Sequence, residues 1–555
     1  MRSSNASLQQ IVSEALTLPA LSSDVERLNR QRLGSFQRQL PRLVRDIIEP
    51  YGYFYSQVST RLQQPAVDRF RIIVDLEPGP PLLVTSMEIS ISGEGSEHPD
   101  LLRKLNQFPL QTNDILRQDL YEQGKAGLRQ QAVSLGYLDA DFTTHAILIH
   151  LDQQEAEVNL HFDTGKRYYF GETRYVEAGG YPERFLRRFV SYRRGDVFTY
   201  SLLGKTQINF SDADLFSSVS VRAQPKLAEN GRIPVEVELK SLPRHRLRPG
   251  IGYGTDTGGR LSLEYRHLNL WNAAHELSGR LLFAQWWQQL EATYTIPDRR
   301  RVDSLTLLTV GTEREDVDTY YRREVFAQAE YRRSFGGGYT GSLFVRTTRE
   351  RSRIGDVHQQ SRFTLQGVKF GWQQIDHPLT PERGARIQLE LQGADEHFFS
   401  DTSLLQLSAD AALLLPLPER FSLFFRFRGG TTWHRHSFKT LPVSLRYFAG
   451  GDRSVRGYKY NSLGPVNEDG DVIGGKHLLV GSLEVERRFF KKWGAAIFYD
   501  AGNAFDSFDT YRLKQGVGFG LRYFTQIGAI RLDLARQIGE RKNRLRLHLS
   551  VGLGW

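Results

Sequence analysis

The residues with the clearest chemistry are an arginine on a glycine-rich loop and a carboxylate on a strand. Gly450-Gly451-Asp452-Arg453-Ser454-Val455-Arg456-Gly457-Tyr458 forms the loop segment. Downstream, Phe498-Tyr499-Asp500-Ala501-Gly502 lies in an alternating run, so Phe498, Asp500 and Gly502 share one strand face. Leu479, Gly481, Leu483 and Val485 form an apolar set on a nearby strand, which turns Glu484 and Glu486 the other way. An arginine facing such carboxylates makes a bidentate, charge-assisted contact, far stronger in a partly water-excluded lumen than on a surface. That chemistry anchors a loop. It does not transform a substrate.

Motifs for covalent or phosphate chemistry are weak. Gly470-x4-Gly475-Lys476 imitates a phosphate loop, but His477 replaces the Ser or Thr and no helical pattern follows. No G-x-S-x-G occurs, so a lipase-type nucleophile elbow is missing. His434-x-His436 alone approaches metal-ligand spacing, and its setting reads as a loop tip. The sequence points to no enzyme, no cofactor and no metal.

The elements that position these residues fall into two halves. A chain of 555 residues is too long for one core. Up to about Leu242 helical and strand patterns alternate, with an internal repeat. Gly52-Tyr53-Phe54 recurs 84 residues later as Gly136-Tyr137-Leu138, with a weaker copy at Asp214-Leu215-Phe216. An amphipathic helix precedes each of the first two copies, carrying Leu40, Leu43, Val44, Ile47 and Ile48 in one and Leu116, Leu120, Leu128 and Leu135 in the other. Two strand-like runs follow each copy. The unit is therefore β-α-α-β-β, and it occurs three times, over 1–78, 79–164 and 165–243. The first copy opens on a helix at Ala6 to Leu16, so its first strand is expected to be missing. Met1 to Leu8 also shows no apolar export signal, and both absences are expected to belong to one lost N-terminal segment.

From about His245 the pattern becomes strand, turn, strand over residues 244–555. Ile387, Leu389 and Leu391 interleave with Arg386, Gln388 and Glu390; Ile530, Leu532 and Leu534 interleave with Arg531 and Asp533. No apolar run reaches the roughly 18 residues of a spanning helix, whereas a barrel strand needs about 9–11 with alternate residues apolar. Alternation by itself fits a soluble sandwich as well as a barrel. The length of the strands and the charges that persist on one face favour a transmembrane barrel. Sixteen antiparallel strands are predicted, eleven before Gly450 and five after about His477, with a long loop over about 444–476 between them. The net charge of +10 is spread along the chain, which suits a solvated surface and lumen and argues against nucleic acid. Cysteine is absent, in keeping with passage through an oxidising compartment.

Val455-Arg456-Gly457-Tyr458 and Phe498-x-Asp500-x-Gly502 together resemble the loop-six and strand-thirteen motifs of the Omp85 family of outer-membrane assembly proteins, and the repeats resemble its POTRA domains. The wider run Leu445 to Tyr460, with three POTRA copies, resembles the TamA branch. The resemblance implies that the loop enters the barrel, that Arg456 meets Asp500, and, less directly, Glu484. It implies an outer-membrane insertase with periplasmic POTRA domains that acts on β-barrel clients such as autotransporters, with a TamB-like inner-membrane partner and the lipid bilayer as surroundings. It also implies a lateral gate between first and last strands. The first strand, Leu247 to Asp256, carries Gly250, Gly252 and Gly254 on one face; the last carries Gly552 and Gly554 and ends at Trp555, an aromatic-girdle position. Ile251 and Val551 belong to the gate on the first and last strands, and are an example of a pair to crosslink across the seam if they are adjacent. The glycines read equally as an accommodation of barrel curvature. The rival function is a polypeptide-transporting pore of the two-partner-secretion type, which a large steady conductance would distinguish.

Overall fold

A computed structural model describes residues 1–17, 26–66, 69–377, 381–435, 438–525, 528–540 and 544–552. The chain divides into two compact units: residues 1–178 with 190–240, and residues 179–189 with 241–555. Among the described residues no helix is long and apolar enough to cross a membrane.

The larger unit is a closed barrel of sixteen strands, each antiparallel to its neighbours. Its strands are β1 (His245–Gly254), β2 (Gly258–Leu270), β3 (His275–Ala284), β4 (Trp287–Pro297), β5 (Ser304–Asp316) and β6 (Tyr321–Gly336). Then come β7 (Tyr339–Ile354), β8 (Val357–Ile375), β9 (Gly384–Ala394), β10 (Leu404–Leu417) and β11 (Phe421–His434). After the long loop follow β12 (His477–Arg488), β13 (Trp493–Phe505), β14 (Lys514–Thr525), β15 (Gly528–Ile538) and β16 (Leu545–Gly552). The division into eleven and five agrees with the sequence pattern. The loop itself begins earlier than expected, directly after His434, because β11 ends there.

Period-two alternation sorts the wall into two faces. Leu343 and Val345 of β7, Leu405 and Leu407 of β10, and Ile497 and Tyr499 of β13 are exposed on the outside. Their neighbours Phe344, Gln406, Phe498 and Asp500 are buried on the inside. An apolar outer face matches hydrocarbon, and closure leaves no ladder of unpaired backbone groups facing lipid.

The smaller unit holds three three-stranded sheets; the first two pack with helices in the β-α-α-β-β order expected of POTRA domains, and the third has Tyr200–Ser211 as its helix within this unit. In the second, Leu83–Ser92 runs parallel to Glu155–Asp163, and Asp141–His150 pairs antiparallel to the same central strand. Leu82, Leu101, Leu128 and Phe162 are among its fully buried residues. The first copy departs from expectation, because Arg2–Ser3 forms a short strand parallel to Asp75 and Leu76. Two residues cannot display an alternation, so the pattern had no purchase there. Leu43, expected on the apolar stripe of its helix, is exposed, whereas Leu40, Val44 and Ile48 are buried. The Gly-Tyr repeat has a conformational origin. Gly52 and Gly136 take φ of +89° and +93°, and their carbonyls accept from Leu82 and Tyr168, the residues that open the next repeat, both at 2.8 Å.

Candidate functional site

The loop between β11 and β12 lies within the barrel, held by inward-facing residues around much of its wall. On one side the Glu350 carboxylate of β7 accepts from the Val443 and Ser444 amides at 2.9 and 3.3 Å, capping a short helical turn. The Tyr447 hydroxyl meets Ser408 of β10 at 2.8 Å, and its ring lies where a Cβ on Gly430 would stand. Tyr460 donates to Glu315 of β5 at 3.1 Å, and the Asn461 side chain donates to Tyr320 at 2.9 Å. Val455 and Tyr458 pack with Ala449, Leu463, Leu478, Val480 and Ala504.

The loop's apex brings Arg456 onto the wall formed by β12 to β15, with only 2 % of its surface exposed. Its Nε donates to Asp500 Oδ2 at 2.7 Å and its Nη2 to Asp500 Oδ1 at 2.9 Å, a bidentate fork. Its Nη1 donates to Glu484 at 2.7 Å and to Asp533 at 3.0 Å, and its Nη2 also reaches Ser482 Oγ at 3.3 Å. All five guanidinium N–H groups thus have partners. The backbone amide of Arg456 adds a bond to Asp500 Oδ2 at 3.0 Å. The guanidinium carbon stands 3.3 Å from the centre of the Phe498 ring, so the phenylalanine of the strand motif supplies a π face beneath the charge. Gly502 of that motif is required by close approach, since a Cβ there would strike the backbone of Leu479 and Val480 on β12.

Arg456 and Asp500 are therefore brought together as the sequence motifs imply, and Glu484 joins them. Gly457 donates its amide to His548 Nε2 of β16 at 3.0 Å and accepts at its carbonyl from Gln537 at 2.8 Å. The Tyr458 hydroxyl donates to Glu540 at 3.3 Å. Sequence reading passed over Ser482, Arg522, Asp533 and His548. Arg522, fully buried on β14, donates to Glu484 at 2.6 Å and pairs with Asp533, so two arginines share two carboxylates. Asp533 and His548 each stand on the polar parity of their strands, which was a usable signal. The inward wall also carries Arg426, Arg531 and Glu486, and the four arginines and four carboxylates of this region balance. A buried network of this kind adds little net stability over apolar packing, but losing one member is costly, which makes it specific for one loop position.

A row of inward glycines on β14 makes room for the loop. A Cβ on Gly516 would collide with the Arg456 carbonyl, and one on Gly518 with the Phe498 ring and the Leu534 carbonyl. Nothing in the strand pattern distinguished these glycines from those of barrel curvature.

As far as the described residues extend, the seam between β1 and β16 is the weakest join in the wall. Among the described residues it holds one registered pair, Gly254 with Ser550, while every other neighbouring pair runs in register over at least eight residues. Arg260 reinforces it by donating to the Val551 carbonyl at 2.8 Å, and the Thr255 amide donates to Leu549 at 3.0 Å. Gly250 and Gly252 share the inward face with Gly254, while Ile251 points outward and is 87 % exposed. Ile251 and Val551, the example pair for a crosslink, are not adjacent. Extending the register of Gly254 and Ser550 would set Val551 across from Tyr253, two residues away from Ile251. Pro249, within β1, has no N–H to give to a ladder, as suits an edge strand. Gly552 closes β16, and Gly554, Trp555 and His436 lie outside the described residues. His434 is engaged by Thr402 at 2.6 Å, and no group of metal-ligating side chains occurs among the described residues.

Comparison with known proteins places this geometry in context. The Omp85 superfamily domain matches residues 269–555, just over half of the chain. The outer membrane protein assembly factor BamA of Nitratidesulfovibrio vulgaris is 22% identical over 466 residues, which cover 77% of this chain and 55% of that protein. BamA of Neorickettsia risticii is 21% identical over 392 residues, covering 64% of this chain and 51% of that one. The chain spans about half the length of the curated relatives it matches. The crystal structure of BamA from Haemophilus ducreyi lacking POTRA domains 1–3 superposes with a TM-score of 0.68 at 17% identity, over 85% of this chain and 99% of that one. At that identity the likeness is one of fold.

Proposed function

The chain belongs to the Omp85 superfamily, and we propose that it is an assembly factor of the TamA type, inserting β-barrel proteins such as autotransporters through the seam between β1 and β16. It is a bacterial outer-membrane protein with its N-terminal units in the periplasm. The observation that carries the proposal is that the seam has a single registered pair among the described residues. Separating any other two strands would strand a long ladder of N–H and C=O groups in hydrocarbon, at several kcal/mol for each unsatisfied group. Separating β1 from β16 breaks little, and it leaves two edges on which a client strand can pair. The loop lies inside the lumen and is fixed through Arg456, which supports lateral insertion over passage of a polypeptide down the axis. The periplasmic units present sheet edges for client segments and for a TamB-like inner-membrane partner.

A crosslink tests this directly. Gly254 and Ser550 are directly opposed, and facing antiparallel residues have Cα separations of about 4.5–5.5 Å, within disulfide reach. The Gly254→Cys/Ser550→Cys protein, reconstituted in liposomes with an unfolded autotransporter barrel, is expected to stop producing membrane-integrated client when oxidised and to recover on reduction. The absence of native cysteine keeps the test clean. Undiminished insertion by the oxidised protein would eliminate the seam as the route.

A further inference from the structure

We propose that the barrel lumen binds a phosphate-class oxyanion between Arg386 and Arg426. Register places these two residues in one inward row, because Arg386 faces Ala412 and Ala412 faces Arg426. The row continues from Arg426 to Ser482 and from Ser482 to Asp500. Neighbouring strands lie about 4.8 Å apart, so the two arginine Cα atoms stand roughly 10 Å apart with only a methyl group between them. Ala412 leaves a pit in the inward row between the two arginines, and all three residues line the lumenal cavity. Arg428, one step along β11, adds a third cation, and Asp410 is the carboxylate it shares with Arg386, at 2.9 Å from Arg386 and 3.8 Å from Arg428.

The donors in this pit exceed the acceptors. The Nε atoms of Arg386 and Arg426 are both buried and both lack a partner among the described residues. Arg426 donates from Nη2 to Ser482 Oγ at a long 3.3 Å, and that hydroxyl is itself committed to Asp500 at 2.6 Å. Arg386 and Arg428 share the single carboxylate of Asp410, and the nine arginines lining the lumenal cavity outnumber its six carboxylates, so positive charge is in excess there. A phosphate group carries a matching charge and three acceptor oxygens, and a planar guanidinium grips it in bidentate fashion. The pit opens into a lumenal cavity of about 990 Å³ lined by nine arginines and six carboxylates. Gly254, Ser550 and Val551 of the seam line the same cavity, so a phosphate can arrive free in water or as the headgroup of a lipid.

Isothermal titration of the full chain in maltoside micelles at low salt provides the test, with inorganic phosphate and monomeric dihexanoylphosphatidic acid as probes. Saturable binding is expected, weakened roughly ten- to a hundredfold by Arg426→Gln. Ala412→Leu, which keeps every charge and fills the pit, is expected to weaken it as strongly and decides the matter if Arg426→Gln fails to fold. Tighter binding of the lipid probe assigns the site to a headgroup, and equal binding assigns it to free phosphate. Absence of saturable binding by both probes, or affinity unchanged by the substitutions, would overturn the proposal.

Discussion

Replacing Arg456 with alanine should release the loop apex while leaving the barrel closed. The change removes the five side-chain hydrogen bonds of the guanidinium and the face-on contact with Phe498. Glu484 and Asp533 keep Arg522, so the damage concentrates on Asp500, which is fully buried and retains the Ser482 hydroxyl as its side-chain donor. Removing one partner of a buried ion pair typically costs about 3–5 kcal/mol. At about 1.4 kcal/mol per factor of ten, the apex should open between roughly a hundred and a few thousand times more often. Ser454 is 4 % exposed and two residues from the arginine, so Ser454→Cys supplies a reporter thiol in a chain without cysteine. Maleimide labelling should be slow in the parent and accelerated in the Arg456→Ala background, with heat-modifiable mobility retained and client insertion reduced. A labelling rate within about threefold of the parent would refute the reasoning. The anchors at Glu350, Ser408 and Glu315 would then suffice without the arginine.

Two further outcomes follow from close contacts. Gly516→Ala places a methyl group against the Arg456 carbonyl, a backbone atom that cannot rotate away, and overpacking of this kind costs about 1–3 kcal/mol. It should accelerate labelling of the same thiol by roughly ten- to a hundredfold, and an unaltered rate would mean that the loop does not rest on β14. In the periplasmic unit, the hydrogen bond from the Tyr168 hydroxyl to Asp139 at 2.6 Å is the main cause, ahead of burial, of a phenol pushed from 10 to about 12. The neutral phenol is the favoured folded form, so its stabilisation is complete below pH 10 and disappears between pH 10 and about 12. Denaturation midpoints followed across that window should fall more steeply for the parent than for Tyr168→Phe, and coincident curves would show that the bond contributes nothing.

Much of the site was legible because strand alternation sorts side chains before any contact is known. Asp500 and Glu484 were assigned to the inside by the apolar residues that alternate with them, and both are found there. The same rule held Asp533 and His548 on the inner face, yet gave no reason to choose them over other inward charges. Their selection depends on how far the loop reaches around the wall, and no local pattern encodes that distance. Arg522 illustrates the point, since its role is to share Glu484 and Asp533 with an arginine more than sixty residues earlier. The short strand Arg2–Ser3 was illegible for a simpler reason: an alternation needs more than two residues to be seen.

The register of Ile251 and Val551, which strand alternation leaves open, shows a more general limit. Within the barrel each strand is joined to the next by a turn or loop, and that covalent link sets a register that can be followed residue by residue. β1 and β16 share no such link, because they stand at opposite ends of the barrel sequence. Their register is settled only by closure of the whole cylinder, and by contacts such as Arg260 with Val551 and the loop's bonds to His548 and, through the Asp452 amide at 2.6 Å, to Asp256. The join that cannot be read locally is also the join with a single registered pair among the described residues. Both properties have one cause. A strand pair without a connecting turn must meet the full entropic cost of finding its register, so it is the pair most easily left open.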